Sequence, residues 1–545
     1  MEPSLLRRRY SDVALAAIPR LLGMIDRNRF SPTYGCFDRP YWHYRTMDFP
    51  CGMSQEFGLP LALAHSTDFP DNPYRGQERL RELALAGVDF ARRSAHADGT
   101  CDDYFPFERA LGALVFSLNA MTETCLLLDD RRPEFLEFFA RRARHLTRHN
   151  ESGQLTNHQA LAALALYNTY LVTGDAEFKR ASDSFVGIVR DWFHPDEGWF
   201  QEYEGADPGY QSCTIAFLAK LYKKSGDPAL LDLMKPGAEF CRRFMHPDGS
   251  YAGEYGSRNT FHFYPHGFEV LAGHGHGPSA EIADLFLTRG LPAGARYFND
   301  DDRMCAHYVY DWMEAWRDFS PTRSRFSEEG AGDESAAFEV ERFAKAGLVV
   351  GRSDRATVVI ALNKGGVMKV IDRAGTVASD TGIIARDTAG TVLVSHLVDG
   401  EFQIEADDAA RRYVVSGRLS KRRSKLATPI TQVAFRLLNL TLGRFAPNLL
   451  RTVLQKILIT GKPRTAWRFQ REFTLAEGRV TVTTTLTRPD GAPALVEACF
   501  GSDATSIYVA NSDVYQRGVL TPWRDAPALT ADSGAETYTV EFPRQ

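Results

Sequence analysis

A repeat of about fifty residues is the feature that most constrains the fold of this 545-residue chain. The segments TGDAEFKRASDSFVGIVRDWFHPDEGWFQEY and SGDPALLDLMKPGAEFCRRFMHPDGSYAGEY align at a constant offset of 52 residues, which pairs Gly174 with Gly226 and Tyr203 with Tyr255. Each unit contains a helix, a short Gly-Asp turn, a second helix and a loop of the His-Pro-Asp-Gly type. Such self-similarity is typical of folds that stack helical hairpins.

Two layers of helices follow from this repeat. Apolar helices are predicted to begin near Gln55, Phe107, Asn157, Tyr210, His266 and Met304. The helices between them are richer in Arg, Glu and Asp, as expected for an outer layer, and they lie near 75–95, 132–148, 176–194, 228–245 and 278–289, with one more at 11–29. Six inner and six outer helices predict an (α/α)6 toroid over residues 1–325.

The starts of the inner helices are expected to share one rim of the ring and to line a single cleft. These starts are polar and aromatic, whereas helix bodies such as ALAALALY are apolar. Rings combined with hydrogen-bonding groups are typical of sugar sites, because pyranose faces stack on aromatic side chains. Catalytic candidates are Asn157, His158, Tyr210, Arg258 and His266. Predicted substrate contacts are Arg45, Gln55, Glu56, Glu202, Glu254, Asn259 and Tyr264.

The pattern changes to strands at about residue 335. Runs such as AGLVVGRS, ATVVIALNKGGVMKVID and RVTVTTTLTR are rich in β-branched residues and are separated by turn signals, which predicts an antiparallel β-sandwich over 335–545. The domain boundary is predicted in the polar segment SPTRSRFSEEGAGDESA. The predicted fold class is therefore α+β multidomain, with an N-terminal toroid and a C-terminal sandwich.

A basic, partly helical insertion is predicted at about 420–465. Between Arg411 and Arg471 the sequence has 15 Lys or Arg residues and no Asp or Glu, although the whole chain has a net charge of −5. A basic amphipathic segment can lie on an anionic membrane or attract an acidic polymer. The alternative is an insertion packed on the toroid with its charges in solvent. We expect peripheral contact with an anionic membrane through 411–471.

Several classes of function are not indicated by composition. The net charge of −5 gives no sign of nucleic-acid binding. The eight cysteines are scattered without a CxxC pair, so neither a zinc site nor a disulfide framework is predicted. The N-terminal apolar stretch is interrupted by Pro19 and Arg20, unlike a secretory signal, and no uninterrupted apolar run predicts a membrane span. We therefore expect a cytoplasmic protein, peripheral to the membrane.

Three segments carry a resemblance to a known family: Asn157-His158 in LTNHQALAAL, Tyr210 in EYEGADPGYQSCTIAFL, and KGGVMKVIDRAGTVASDTG. With the order of toroid then sandwich, they make the chain similar to the heparinase II/III and alginate lyase group of polysaccharide lyases. The resemblance implies β-elimination at a uronic acid of an acidic polysaccharide, such as a bacterial exopolysaccharide. The H-x-H-x-D type stretch of that group is absent from VVGRSDRATVVIALNKGG, so no metal and no cofactor are expected.

The chemistry of β-elimination suits these residues. The reaction removes the C5 proton beside a carboxylate and expels the C4 oxygen, so the site must stabilise an enediolate. The amide of Asn157 can bind the carboxylate, and His158 can be a second donor or the base. Tyr210 can protonate the leaving oxygen, or take the C5 proton if cations lower its pKa from about 10. Arg258 and His266 can supply that positive field.

Structural alternatives remain open for these residues. Asn157 follows a turn and can cap its helix. Tyr210 can be a packing residue, and the tyrosines that compete for its role are Tyr203, Tyr255 and Tyr264. The first-repeat candidates Arg45, Gln55 and Glu56 can instead form a buried ion-pair network.

Three rival functions also remain. An inverting glycoside hydrolase needs two carboxylates about 6.5–9.5 Å apart, and the available residues are Glu202, Asp207, Glu254 and Glu269. A uronyl C5-epimerase shares the proton abstraction but returns the proton to the opposite face. A non-catalytic glycan-binding protein needs only the aromatic groove.

Overall fold

The N-terminal part of the chain forms two concentric layers of helices. A computed structural model describes residues 2–150, 153–292, 305–323, 338–353, 355–422, 426–446, 449–450, 453, 463–502 and 523–542. The outer helices are α1 (Pro3–Met24), α4 (Glu78–Ser94), α6 (Pro133–Arg148), α8 (Ala176–Asp191), α10 (Pro228–Arg242) and α12 (Gly277–Leu285). The inner helices are α3 (Gly58–Ser66), α5 (Leu111–Leu128), α7 (Thr156–Thr173), α9 (Pro208–Ser225), α11 (His266–Gly273) and α13 (Cys305–Asp318). A short helix, α2 (Arg39–Trp42), lies between α1 and α3.

The inner helices close into a ring. Each contacts the next one in the chain, and α13 packs against α3 to complete the circle. The outer helices α4, α6, α8, α10 and α12 each pack on the inner helix that precedes them, and α1 packs on α13. The predicted (α/α)6 toroid is confirmed.

The Gly-Asp turns account for the repeat. Gly174 ends α7 and Gly226 ends α9 with φ of 75° and 69°, a left-handed conformation that glycine adopts without strain. The next residues, Asp175 and Asp227, each accept a hydrogen bond from the backbone N–H two positions later and cap α8 and α10. The same local chemistry therefore ends one helix and starts the next in both hairpins.

Two helix starts differ from their predicted positions. The helix predicted at 11–29 is α1, which begins at Pro3, because the fixed φ of proline suits the first turn of a helix. The helix predicted from Phe107 begins at Leu111. Phe107 and Arg109 have φ of 61° and 51°, and both donate their N–H to Asp102. This left-handed loop delays the start of α5.

Helix α5 has the length and mean hydropathy of a membrane-crossing helix, and 78% of its apolar window is buried. It is an inner helix in contact with α3 and α7. Among the described residues, no other helix meets these criteria. The burial of α5 inside the ring explains its apolar composition.

Two antiparallel sheets follow the toroid, and a small sheet lies within it. The small sheet contains β1 (Phe193–His194), β2 (Trp199–Glu202) and β3 (Gly205–Ala206). The five-stranded sheet is a meander of β4 (Glu339–Phe343), β5 (Leu348–Arg352), β6 (Ala356–Ala361), β7 (Val367–Asp372) and β8 (Gly375–Asp380).

The second sheet has nine described strands. Its order is β16-β15-β9-β10-β12-β13-β14-β17, with β11 paired to β12. The strands are β9 (Ile383–Asp387), β10 (Val392–Val394), β11 (Gln403–Asp407), β12 (Arg412–Lys421), β13 (Arg464–Ala476), β14 (Arg479–Thr487), β15 (Leu495–Phe500), β16 (Arg524–Asp525) and β17 (Ser533–Glu541).

The central strands β5, β6 and β7 of the five-stranded sheet are buried on both faces. Val358 and Ile360 belong to a core shared with the nine-stranded sheet, while their neighbours Val359 and Ala361 belong to the core of the toroid. Successive residues of a strand point to opposite faces, so the all-apolar run ATVVIA fits a sheet held between two layers. The predicted β-sandwich is confirmed, and its first sheet joins it to the toroid.

The predicted domain boundary falls mostly outside the described residues. Helix α13 ends at Asp318 and β4 begins at Glu339, and residues 324–337 are not among those described. The division at 325 and 335 therefore stays a prediction. The insertion predicted at about 420–465 lies between β12 and β13 and contains α14 (Pro429–Leu438). All eight cysteines are buried and none forms a disulfide.

Candidate active site

The N-terminus of α7 is bound by a carboxylate from the small sheet. Glu202, at the end of β2, accepts a hydrogen bond of 2.9 Å from the Asn157 backbone N–H. Asn157 Nδ2 also lies 2.9 Å from each oxygen of Glu202. Glu202 therefore satisfies an N–H that has no partner within the helix itself. Asn157 is not the cap of its helix, since the N-cap position belongs to Leu155.

The Asn157–Glu202 pair is shielded from solvent. Both side chains are fully buried, and the Asn157 amide nitrogen is already bound by Glu202. In this geometry Asn157 cannot be the direct carboxylate donor predicted from the sequence without displacing Glu202. The partly exposed His158 is the next residue of the same helical turn.

Burial shifts the pKa values of two neighbouring ionisable groups, Glu202 and His158, in opposite directions. Burial raises the pKa of Glu202 from 4.5 to about 7, although Arg258, Asn157 and His158 favour its charged form. Although His158 is partly exposed, loss of solvation lowers its pKa from 6.5 to about 4, with Arg258 acting in the same direction and Glu202 opposing it. At pH 7 the imidazole of His158 is therefore neutral and Glu202 is close to half-protonated.

Arg258 is a fixed cation between two tyrosine rings. Its guanidinium carbon lies 4.5 Å from the ring centroid of Tyr203 and 4.6 Å from that of Tyr210, a favourable cation–π arrangement. Its Nη1 lies 3.9 Å from Glu202 Oε2. Burial opposes the charge of Arg258, but Tyr210, Tyr203, Glu202 and Asp207 raise its pKa. The positive field predicted from Arg258 is thus placed directly against Tyr210.

Asp207 holds the Arg258 loop on the start of α9. Its carboxylate accepts hydrogen bonds from the backbone N–H of Tyr210 at 3.0 Å and of Arg258 at 2.8 Å, and from the Thr260 hydroxyl. Asp207 is the N-cap of α9. One capping residue therefore fixes the relative positions of the tyrosine and the arginine.

An aromatic row continues from Tyr210 around the ring. The Tyr210 ring meets the edge of His262 with centroids 5.2 Å apart. His262 is hydrogen-bonded to the Tyr308 hydroxyl, and the Tyr308 ring stacks on Tyr264 at 5.0 Å. Burial, with His307 and Arg258 nearby, lowers the pKa of His262 well below its ordinary value. The histidine beside Tyr210 is therefore His262, and it is neutral.

The row returns to α7 through α13 and α5. His307 Nδ1 lies 3.0 Å from Glu56 Oε1, and the His307 ring is 5.2 Å from Phe116. Phe116 in turn meets His158 at 5.9 Å. Residues from α5, α7, α9, α13 and the segment before α11 thus form one contiguous cluster inside the ring.

Sequence reasoning missed His262, His307 and Tyr308. His307 and Tyr308 lie in the first turn of α13, so the rule that inner helix starts face the cleft identifies them once it is applied to the last inner helix. His262 precedes its helix and lies in an extended segment, which the repeat does not predict.

No protein-family model matches the sequence, and no curated protein matches it. Solved structures do match. A chondroitin AC lyase from Streptomyces coelicolor A3, in complex with chondroitin sulphate, matches with a TM-score of 0.56 at 10% identity, over 99% of this chain and 82% of that chain. The chain has the fold of this polysaccharide lyase. A heparinase III also matches, with a TM-score of 0.46 at 9% identity, over 90% of this chain and 77% of that chain.

His266 does not join the cleft of this lyase fold. Residues 260–265 run beside α9, with Tyr264 N–H donating to Ser212 Oγ at 3.1 Å, so α11 starts deeper in the ring than α9 does. His266 Nδ1 lies 3.1 Å from Lys220 Nζ and its Nε2 lies 2.8 Å from Asp318. His266 therefore lies near the C-terminal ends of α9 and α13 rather than beside Tyr210, and an irregular segment precedes it.

Glu254 and Asn259 face the β-sandwich instead of the cleft. Lys369 Nζ lies 3.0 Å from Glu254 Oε2, and the Ser379 hydroxyl donates to Glu254 Oε1 at 2.7 Å. Lys364 Nζ donates to Asn259 Oδ1 and to the backbone oxygen of Glu254. The segment KGGVMKVIDRAGTVASDTG therefore anchors the loop that carries Arg258. The predicted substrate contacts at Glu254 and Asn259 do not fit this geometry.

The three substrate contacts predicted in the first repeat, Arg45, Gln55 and Glu56, lie in different surroundings. Glu56 is buried against His307 and belongs to the aromatic row. Gln55 donates to the Cys51 backbone oxygen at 3.2 Å and lines a neighbouring cavity of about 400 Å³. Arg45 lies on an exposed loop with φ of 56°. The structure brings neither Gln55 nor Arg45 to the pair of Asn157 and Glu202.

The carboxylates of the rival hydrolase are mostly committed to structural contacts. Asp207 caps α9, and Glu254 pairs with Lys369. Glu269 accepts from the Tyr10 hydroxyl at 2.7 Å and pairs with Arg323. Of the four carboxylates predicted for hydrolysis, Glu202 is the one that interacts with both the Arg258 side chain and His158. A pair of carboxylates across the cleft is therefore not formed by this set.

His266, Asp311 and Glu314 have ligand atoms close enough to hold a metal ion. The ammonium of Lys220 lies among them, 3.1 Å from His266 Nδ1 and 3.2 Å from Glu314 Oε2, and it also pairs with Asp311. A protein cation thus already balances these groups, and the cluster is an ion-pair network within the toroid.

Proposed function

We propose that this protein is a polysaccharide lyase that cleaves a uronic-acid-containing acidic polysaccharide by β-elimination. The observation that carries the proposal is Arg258, which is held between Tyr203 and Tyr210, lies 3.9 Å from Glu202 and interacts electrostatically with His158. A rigid cation next to a tyrosine and a neutral imidazole provides carboxylate binding and proton transfer within one cleft. The S. coelicolor lyase that shares this fold forms a complex with chondroitin sulphate, which supports an acidic substrate.

Arg258 neutralises the substrate carboxylate in this proposal. A charge-assisted hydrogen bond from guanidinium to carboxylate is stronger than a neutral one, and it strengthens as the enediolate accumulates negative charge. Protonated Glu202 does not compete with that carboxylate for Arg258, whereas ionised Glu202 does. Asn157 positions Glu202 and acts through it.

His158 and Tyr210 carry the proton transfers. Neutral His158 takes the C5 proton, the electron pair forms the C4=C5 double bond, and the bond from C4 to the glycosidic oxygen breaks. The Tyr210 hydroxyl gives its proton to that oxygen as it leaves. The proton on His158 then returns through solvent to Tyr210, so the protein ends the cycle unchanged. The partly exposed ring of Tyr203, beside Arg258, provides a surface for a sugar face.

The test is to incubate the protein with a panel of uronate polymers and to follow the ultraviolet absorbance of the unsaturated uronosyl product. Elimination predicts this absorbance together with new reducing ends. New reducing ends without it indicate hydrolysis, and solvent deuterium at C5 without cleavage indicates epimerisation. Either outcome replaces the lyase proposal.

Tyr210→Phe tests the assignment of the proton donor, and Tyr203→Phe is its matched control. Both rings flank Arg258 and both variants retain the ring. Loss of general acid catalysis predicts a fall in kcat of about 10²–10⁴-fold for Tyr210→Phe and little change for Tyr203→Phe. Equal losses in the two variants would show that the hydroxyl of Tyr210 has no special role.

A further inference from the structure

Helix α14 presents its apolar side to solvent. The residues at spacings of three and four, Ile430, Val433, Leu437 and Leu440, are 82%, 62%, 59% and 52% exposed. They form one stripe along α14 and the π-helical turn Asn439–Gly443 that continues it. A helix on a globular protein ordinarily turns such a stripe inward. Here the stripe has the opposite orientation.

The contacts of α14 with the toroid fix this orientation. The Phe435 ring packs on Phe105 at 5.5 Å, and Arg436 Nη1 lies 3.1 Å from Asp48 Oδ1. A capping box between Thr428 and Thr431 sets the start of the helix. The inward side thus holds an aromatic ring and a salt bridge, with Leu440 at its edge lining the cavity against Asp48 and Phe49. Ile430, Val433 and Leu437 are left on the outer side.

The exposed apolar surface extends along the described part of the insertion. Of the 18 large hydrophobic residues exposed among the described residues, ten lie between Leu426 and Val453. They include Leu426 at 90% and Phe445 at 83% exposure. A concentration of this kind marks an interaction surface rather than ordinary scatter.

Charge identifies the partner of this surface. Residues 421–462 contain nine Lys or Arg residues and no Asp or Glu, whereas Arg412, Arg464 and Arg471 on the flanking strands already pair with carboxylates. Basic residues beside an apolar helical stripe match the surface of an anionic bilayer, where phosphates lie above the acyl chains. An acidic polysaccharide complements the charges but offers nothing to cover Ile430 and Val433.

We propose that α14 and its continuation dock the protein on an anionic lipid bilayer, with Ile430, Val433 and Leu437 inserted at the headgroup boundary. Because α14 packs on the loops that contain Asp48 and Phe105, which lead into α3 and α5, docking brings the cleft rim of the toroid to the membrane. The surface lies outside the cleft, so it does not depend on the proposed lyase activity.

Cosedimentation of the full-length protein with vesicles tests the proposal. Vesicles of phosphatidylcholine with about 30 mol% phosphatidylglycerol are compared with pure phosphatidylcholine. We expect binding to the anionic vesicles only, weakened as salt rises from about 0.1 M to about 0.5 M. Equal binding to both vesicle types, or none to either, overturns the proposal.

The decisive variant replaces Ile430, Val433 and Leu437 with Glu. Its matched control places Glu at Ile404 and Val496, which are 41% and 53% exposed on the β-sandwich. We expect at least a tenfold loss of vesicle binding in the first variant and an unchanged affinity in the control. Circular dichroism and activity on a soluble oligosaccharide verify that both variants fold.

Two other results would replace the membrane with a different partner. If the wild-type protein is a dimer by light scattering and the triple variant is a monomer, with no vesicle binding in either, a second copy covers the stripe. If soluble acidic polysaccharide binds through Lys421 and Arg444 while vesicles do not, the insertion is a polysaccharide-binding element. Each of these outcomes rejects membrane docking.

Discussion

Replacing Glu202 with Gln is expected to change how stability depends on pH. The folded protein raises the pKa of Glu202 from 4.5 to about 7 through burial. Between these values the unfolded chain loses the proton while the folded protein keeps it, so the free energy of unfolding falls as pH rises. At 1.36 kcal/mol per pKa unit, the full penalty above pH 7 is about 3.4 kcal/mol.

Over an experimentally accessible pH range, the change in the free energy of unfolding caused by Glu202 is smaller than this full penalty. From pH of about 5.5 to about 8, the Glu202 penalty grows by about 2 kcal/mol. We take the toroid, about 320 residues, as the part that unfolds together. With an unfolding entropy of about 2.1 cal/mol/K per residue, the change of about 2 kcal/mol corresponds to about 3 °C in Tm. The lost hydrogen bonds to Asn157 affect the Gln variant similarly at both pH values, so they largely cancel in the comparison.

Differential scanning calorimetry of the two proteins at both pH values measures this difference. On going from the lower to the higher pH, the wild-type Tm should fall by about 3 °C more than that of the Gln variant. His158 is neutral in the fold across this range because its pKa is about 4, so its titration is nearly the same in both proteins. If the Tm of the wild-type protein and that of the Gln variant changed equally with pH, the raised pKa of Glu202 would be refuted.

The remaining predictions concern activity and anchoring. Arg258→Lys should lower kcat/KM on a uronate polymer by about 100-fold, because an ammonium group cannot keep the planar stacking between the tyrosines. For wild-type protein, kcat/KM should fall as pH rises through about 7 while Glu202 ionises, and Glu202→Gln should remove that fall. His266→Gln should lower Tm through its lost contact with Asp318 but leave kcat within about twofold. Lys364→Met should lower kcat by disordering the Arg258 loop, and an unchanged kcat would contradict that anchoring role.

The fold was predictable to the level of its architecture. Turns such as Gly174-Asp175 act locally, through a left-handed glycine and a capping carboxylate, so they repeat wherever the sequence repeats. β-branched runs likewise predicted the sandwich. The start of α5 was predicted too early, because the left-handed residues Phe107 and Arg109 are not glycines and leave no signal in composition.

The candidate site was predictable only in part. Placing Tyr210 and Arg258 by repeat register agreed with the geometry, since both follow loops that recur at the same point of a hairpin. The same rule placed His266 beside Tyr210, whereas the structure places it near the C-terminal ends of α9 and α13, after an irregular segment. The catalytic roles of these residues, like the cellular location, remain predictions.

The sequence by itself determined the stacked hairpins, the ring they form and the sandwich that follows, because these depend on periodic burial and on local turn chemistry. Only the tertiary structure decided that Glu202 binds Asn157, that His262 rather than His266 meets Tyr210, and that α14 turns its apolar stripe outward. Such contacts join residues about 45 positions or more apart, or depend on which side of a helix finds a partner. Their pairing is set by how loops cross the rim of the ring, and no local pattern encodes that path.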